Sequence, residues 1–456
     1  MGTFVRRTRI AAPAEDVFRW HTRPGAFARL NPPWEPVEIV ARHGGVENGA
    51  VVVLRMGLGP LSQSWVAEHR DYEEGRQFRD VQVSGPFAHW VHTHRFASDG
   101  PNACYLEDHI EYALPLGTIG QLGGGGLVRQ KLARMFTYRH RVTSDDIATH
   151  ARYTGAPMKI LVSGARGLIG TALVSFLTTG GHSVTRLVRS QPRPGAQEIL
   201  WDPKHGVDDI ARLEGFDAIV HLAGENIVGR WTPEKRARIH DSRVTGTKTL
   251  CDALARLSSP PKVLVSASAI GYYGSRGDEV LTEESAVGQG FLPEVCHAWE
   301  EANLPAVQKG IRVVTARIGV VLSPSGGALA KMLLPFRLGL GGMVGAGTQY
   351  MSWVTLDDTV GAIHHALITD PVRGPVNITA PLPVTNSDFT TTLGHVLRRP
   401  TVLSLPTAVV RLALGDVADE LLLSSTRVMP QQLLDTHYPF RHPELEVALR
   451  HLLGKA

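Results

Sequence analysis

The sequence predicts an α/β protein whose larger part is a doubly wound parallel sheet, preceded by an α+β domain in which a curved antiparallel sheet grips a long helix. Three observations carry this expectation. Residues 158–170, MKILVSGARGLIG, read as a short apolar strand that turns through three glycines straight into a helix. From that point strand and helix patterns alternate, as in a sheet covered on both faces. Before it, period-two segments run between one short helical pattern and one long one.

Taken in order, residues 3–10 alternate like a strand and 13–20 read as a helix. Strands are expected at 37–40, 50–55, 64–69, 77–83, 88–96 and 104–112. Gly123 to Gly126 read as a flexible loop, and 127–146 carries helical periodicity with Leu132, Met135 and Phe136 on one face. Residues 20–34, WHTRPGAFARLNPPW, and 85–90, GPFAHW, are the landmarks of this part. On them the segment resembles the START-like, polyketide-cyclase-like (SRPBCC) superfamily. The resemblance implies a helix-grip fold around a cavity for a hydrophobic or aromatic small molecule. Residues 151–157 read as a connector.

After the glycine turn, 171–177 continue the helix and 180–189 read as the second strand. Later strands are expected at 217–224, 262–268 and 311–322, with helices around 233–257 and 292–309. The segment 400–456 is dense in Leu and reads as helical. Three domains are thus expected, at 1–150, 158–399 and 400–456, and a chain of 456 residues is too long for one ordinary core.

Composition narrows the classes. A formal charge of +4 with no Lys/Arg cluster gives no support for a nucleic-acid partner. Three widely spaced cysteines fit a reducing compartment. The N-terminus lacks the apolar core of a signal peptide, and charges interrupt the best apolar stretch, so no membrane span is expected and the cytoplasm is the expected location. The sequence leaves the oligomeric state open.

The glycine turn brings backbone N–H groups and a helix N-terminus toward a dinucleotide pyrophosphate. Gly164, Ala165, Arg166, Gly167, Leu168, Ile169 and Gly170 are the candidate cradle. The second strand ends in Arg189 where an acid would favour the NAD ribose, and a guanidinium suits a 2′-phosphate, so NADP is the expected cofactor. His221-Leu222-Ala223-Gly224 ends the next strand at the edge that lines the ligand crevice.

With residues 242–247 (SRVTGT) and 265–274 (VSASAIGYYG), these pieces resemble the extended and atypical short-chain dehydrogenase/reductase (SDR) superfamily and its Rossmann-type sheet. Residues 317–322, 333–342, 349–354 and 375–381 are similar to the atypical branch of NAD-dependent epimerase-like proteins with a C-terminal domain of unknown function. This resemblance spans about 158–452. It implies cofactor contacts from Leu222, Ala223, Arg243 and Val321, and a substrate-orienting role for Ser268.

One departure matters. SDR chemistry ordinarily uses a Tyr with a Lys one helical turn on, but here those positions are Leu292 and Cys296, and neither can do that work. Tyr272 is therefore the candidate proton donor beside Ser268, with Tyr273, Glu294 and His297 nearby. The expected activity is an NADP-dependent oxidoreductase or epimerase-like reaction on a small hydrophobic or carbonyl-containing substrate. A non-catalytic NADP-binding sensor, and a START-like cyclase or hydratase with an accessory SDR half, are the alternatives. A metal on His92 and His94, joined by His69 or His109, is set aside because no Cys or Asp completes a familiar spacing. No metal is therefore expected.

Overall fold

The computed structural model describes residues 1–57, 62–415 and 417–455. The chain divides into two compact units: Met1–Gly155 with Thr178–Gly181 and the chain end from His451, and Ala156–Leu177 with His182–Arg450.

The first unit is built on one antiparallel sheet of seven strands: β1 (Gly2–Ile10), β2 (Val37–His43), β3 (Val51–Met56), β4 (Gln63–Glu73), β5 (Gln77–Ser84), β6 (His89–Ser98) and β7 (Cys104–Ala113). Their order is β1-β7-β6-β5-β4-β3-β2, so neighbours in sequence pair except where β7 returns to β1. Helices α1 (Ala14–Thr22) and α2 (Ala26–Leu30) follow β1, and α3 (Gly117–His150) ends the unit. In β7 every second residue is buried, which turns Cys104, Leu106, Asp108, Ile110 and Tyr112 to the same face. Phe4, Trp90, Ile110, Tyr112, Leu132 and Phe136 then lock α3 onto the sheet.

One expectation changes here. The glycines at 123–126 lie inside α3 instead of forming a loop, in a helix that Leu132 and Phe136 further along anchor to the sheet. Asp146 is fully buried within α3 and takes two hydrogen bonds, at 2.7 and 2.8 Å, from the buried Arg29.

The second unit has a seven-stranded parallel sheet: β8 (Lys159–Ser163), β9 (Ser183–Val188), β10 (Glu198–Leu200), β11 (Ala218–His221), β12 (Val263–Ala269), β13 (Arg312–Ile318) and β14 (Gly374–Ile378). The order β10-β9-β8-β11-β12-β13-β14 reverses direction between β8 and β11, the switch point at which open α/β sheets bind ligands. Helices α4 (Leu168–Thr179), α5 (Pro233–Ala255), α6 (Phe291–Glu301), α7 (Leu304–Gln308), α8 (Gly327–Arg337), α9 (Leu356–Ile368) and α10 (Asn386–Leu397) follow in chain order. Strands such as Ile160 to Ser163 and Ala218 to His221 are buried throughout, as covered parallel strands require. The fold class is the one the sequence predicts.

Helix α9 is capped by the side chain of Thr355, and Asp358 lies inside its first turn. Asp358 instead receives the backbone N–H groups of Arg441 at 2.7 Å and His442 at 3.0 Å. Burial pushes its carboxyl up, but His442 and these backbone donors outweigh that and hold it below its ordinary value. A depressed acid stabilises the fold above its unfolded pKa of about 3.9, and that contribution is lost as pH falls through the lower folded value. Asp358→Asn is therefore expected to flatten the acid limb of a pH series of denaturant midpoints below about pH 4. An acid limb identical to the parent's would remove this assignment.

The expected helical segment from residue 400 is mixed. Short strands Leu403–Leu405 and Arg427–Val428 lie among helices Thr407–Leu414, Gln431–Asp435 and Leu445–Leu452. Leu periodicity cannot report such pairings, because two- and three-residue strands are held by partners distant in sequence. No helix among the described residues is long and apolar enough to cross a membrane.

Candidate functional site

The glycine turn leaves β8 at the switch point. Gly164 has φ +67, and a Cβ on it would lie 2.6 Å from the Leu222 carbonyl, so the loops after β8 and β11 touch through backbone. Gly170 packs the first turn of α4 against the loop: a Cβ there would meet the Gly164 carbonyl oxygen and lie 2.8 Å from the Ala165 Cα. Below them Ser163 Oγ accepts the Leu222 N–H at 3.1 Å and lies 2.7 Å from His221 Nδ1. Burial lowers the His221 pKa to about 4, which keeps the imidazole neutral. Arg166 and Gly167 at the tip are exposed, Ala165 and Gly170 are buried, and Leu168, Ile169, Leu222 and Ala223 are half-buried, with Gly224 exposed beyond them. The cradle is thus held from beneath and open above.

At the end of β9, Arg189 is exposed and its charge reaches Glu225. Arg166 donates to Ser190 Oγ at 3.1 Å, and Arg166 and Arg193 stand 3.9 and 3.0 Å from Glu198 Oε1. Arg186 lies beside the same acid. One carboxylate among these guanidinium groups leaves the patch positive, a setting for a phosphate. Sequence reasoning found Arg166 and Arg189 but missed Ser190 and Arg193, which a turn returns to the strand end.

Arg243 is half-buried on α5 and does not point to solvent. It donates to the Glu225 carbonyl at 3.0 Å and stacks over Trp299 at 5.1 Å, while Ser242 Oγ accepts the Glu225 N–H at 2.9 Å. Both residues clamp the loop after β11. Val321 is half-buried in the strand Val320–Ser323, opposite Val354.

Ser268 lies near the carboxyl end of β12. Its hydroxyl donates to Glu300 Oε1 at 2.7 Å, and Arg317 donates to both Glu300 oxygens at 2.8 Å. Arg317 also donates to the Tyr273 hydroxyl at 2.9 Å, which in turn donates to Asn377 Oδ1 at 2.7 Å. Its guanidinium lies 3.5 Å from the centroid of the Tyr272 ring. Burial raises the Tyr273 pKa to about 12, so that hydroxyl is spent on the network. The Tyr272 hydroxyl has no hydrogen-bond partner among the described residues. Glu294 and His297 are exposed on α6, and His297 faces Glu301 at 3.6 Å. The structure thus brings Ser268 and Tyr272 to one cluster, sets the His297 ring edge-on to Tyr272 at 6.5 Å, and leaves Glu294 out.

Leu292 and Cys296 are both buried, and burial pushes the Cys296 thiol up to about 12. Glu300, one further turn along α6, is the residue that sequence reasoning missed. Its signal was positional: 292, 296 and 300 share a helix face, and that face meets β12.

The first unit carries a second candidate site, a cavity of about 660 Å³. Leu54, Trp65, Phe87 and Met135 line it, together with His69, Asp80, His92 and His94. Period-two geometry does turn His92, His94 and Trp90 to one face, and His109 lies on the other. The argument that no Asp completes this set does not hold in three dimensions, because β5 pairs Asp80 directly opposite His92. Asp108 pairs opposite His94 from β7, and His140 of α3 reaches it at 2.6 Å. Burial pushes both carboxyls up, but the surrounding imidazoles prevail and hold them well below the ordinary range. Burial likewise lowers His94, and the two acids more than restore it, to about 9.

Fold and site together define a class: a dinucleotide-type α/β domain of short-chain dehydrogenase architecture carried with a helix-grip ligand domain. Residues 160–379 match the NAD dependent epimerase/dehydratase family, 405–452 a domain of unknown function, and 10–136 the polyketide cyclase/dehydrase and lipid transport family. An epimerase family protein of Mycobacterium bovis is 44% identical over 291 residues, which is 64% of this chain and 96% of that protein. The human epimerase family protein SDR39U1 is 39% identical over 65% of this chain and 100% of its own length. The chain belongs to this epimerase family. A nucleoside-diphosphate sugar epimerase from Corynebacterium glutamicum superposes with a TM-score of 0.82 at 33% identity, over 99% of this chain and 90% of that one. Human SDR39U1, solved with NADPH, superposes with a TM-score of 0.61 at 37% identity, over 66% of this chain and 100% of that one.

Proposed function

We propose that the protein is an NADP-dependent, epimerase-like oxidoreductase acting on a small carbonyl-containing or hydrophobic substrate. The observation that carries this reading is the open glycine cradle beside the guanidinium groups of Arg166, Arg189 and Arg193. Gly164 to Gly170 would hold the pyrophosphate through backbone N–H groups and the N-terminus of α4, with Arg189 and Arg166 on the 2′-phosphate. Leu222, Ala223 and Gly224 would line the adenosine side, Arg243 would fix the loop beneath it, and Val321 would lie on the nicotinamide side. The NADPH bound in the human relative supports the same cofactor here. When bound, NADP exchanges a hydride with the substrate.

The chain's own residues supply the rest. Ser268 donates its hydroxyl hydrogen bond to Glu300, so its lone pairs are left to accept from a substrate hydroxyl. Tyr272 is the hydroxyl able to exchange a proton there. In this reading residues 1–150 capture a hydrophobic ligand, 158–399 bind nucleotide and substrate, and 400–456 close the substrate side. Glu420 supports the last part by accepting the Phe291 and Leu292 N–H groups at 3.1 and 3.2 Å.

Arg189→Glu tests the cofactor. It is expected to weaken NADPH by about 1.5–3 kcal/mol through lost charge-assisted hydrogen bonds, with NADH little changed, in parallel fluorescence titrations. Equal weakening of both would remove the 2′-phosphate assignment. A second reading, a non-catalytic NADP-binding sensor, is favoured by the buried Leu292 and Cys296. NADPH oxidation with a member of a carbonyl, enone and sugar-nucleotide panel, lost in Ser268→Ala, would exclude it.

A further inference from the structure

We infer that the N-terminal cavity is a metal centre in which Asp80, His92 and His94 bind one divalent first-row transition cation, with an open coordination position facing a small-molecule ligand.

Strand pairing sets Asp80 opposite His92, His94 opposite Asp108, and His69 opposite Asp80, all turned to the buried face. The ligand atoms offered by Asp80, His92 and His94 lie within 4.8 Å of one another. Asp80 Oδ2 is 3.1 Å from His94 Nε2 and 3.5 Å from His92 Nδ1. Bonds of about 2.0–2.1 Å to a tetrahedral zinc separate its ligand atoms by roughly 3.3 Å, so these spacings are those of a coordination shell.

The remaining nitrogens answer the same question independently. A metal-bound imidazole donates its outer N–H to a carboxylate that fixes its tautomer. Here His92 Nε2 is hydrogen-bonded to Asp108 Oδ1 at 2.7 Å, and His94 Nδ1 lies 2.8 Å from the same oxygen without hydrogen-bond alignment. Asp108 is itself held by His140 Nε2 at 2.6 Å, and His140 Nδ1 is 2.7 Å from Thr8 Oγ1. The second Asp80 oxygen faces His69 Nε2 at 2.9 Å. Both imidazoles therefore turn one nitrogen toward Asp80 and the other toward Asp108.

The buried Asp108 and half-buried Asp80 also need positive charge, which a divalent cation supplies. Three protein ligands leave a fourth position, and all three line the cavity. An otherwise apolar molecule with one carbonyl, hydroxyl or carboxylate oxygen fits this wall, its oxygen on the cation and its body against Trp65, Phe87 and Met135. One carboxylate and two imidazoles as ligands select nitrogen- and oxygen-loving cations, zinc or ferrous iron, over copper(I).

The full-length chain, stripped with a chelator, is titrated with zinc in a calorimeter and with cobalt in a spectrophotometer. One equivalent should bind, with the intense visible bands of four- or five-coordinate cobalt. Asp80→Asn should weaken uptake at least tenfold and abolish those bands while NADPH titration stays as in the parent. His140→Gln, which loosens the support of Asp108, should weaken zinc about 10–100-fold with stoichiometry kept. His109→Ala, on the opposite face of β7, should change nothing. Should Asp80→Asn misfold, the cobalt spectrum of the intact chain decides by itself. The inference is overturned if the intact chain takes up no zinc or cobalt, if cobalt gives only six-coordinate bands, or if Asp80→Asn binds as the parent does. In each of those cases protons alone close the cluster, with His94 as the imidazolium.

Discussion

Gly170→Ala is expected to abolish measurable NADPH binding, although it adds a single methyl group and touches no charge. The new Cβ would fall on the Gly164 carbonyl oxygen and within 2.8 Å of the Ala165 Cα, both backbone atoms of the cradle itself. Backbone in a loop fixed at Gly164 against Leu222 cannot move aside as a flexible side chain does, so α4 must shift or the cradle must open. Either movement turns N–H groups away from the pyrophosphate. We expect at least a hundredfold loss in NADPH affinity, about 2.7 kcal/mol, and disappearance of the protection that NADPH gives against thermal unfolding. Affinity within about threefold of the parent would mean that the nucleotide phosphates lie elsewhere.

Glu300→Leu should produce the largest loss of stability in the second unit, about 3–5 kcal/mol in denaturant unfolding. The guanidinium of Arg317 is only 2% exposed and rests on both Glu300 oxygens, so deleting the acid leaves a buried cation without its counter-charge. Glu300→Gln keeps the shape and part of the hydrogen bonding and should lose less. The double change Glu300→Leu with Arg317→Met should recover much of the single loss, because no unpaired charge is then left. Were the double variant as unstable as the sum of its parts, charge pairing would not be what holds this cluster.

The reach of sequence reasoning can be followed residue by residue. The three glycines, the strand before them and Arg189 are contiguous signals, since a turn and a strand end are fixed by local backbone geometry. The loss of the SDR Tyr and Lys was also legible, because the resemblance to the SDR superfamily places those two residues at Leu292 and Cys296, one helical turn apart. Glu300 escaped, although it shares their helix face, because its importance depends on Arg317 arriving from β13, next to β12. Gly123 to Gly126 misled, since composition weighs local propensity and cannot count the apolar face that holds α3 together.

The metal argument turned on the same distinction. His92 and His94 alternate visibly within one strand, but Asp80 and Asp108 lie on two neighbouring strands, and only hydrogen-bond register sets them opposite.

By itself the sequence determined the α/β class, the glycine turn after β8 and the basic residue that follows β9, because each is written in residues within one strand, turn or helix of one another. Tertiary structure alone decided that Ser268 answers to Glu300, that Arg243 clamps a loop, and that two acids and four histidines converge in the first unit. Those contacts join segments tens of residues apart, and strand order and register, which depend on the packing of the whole core, choose which side chains meet.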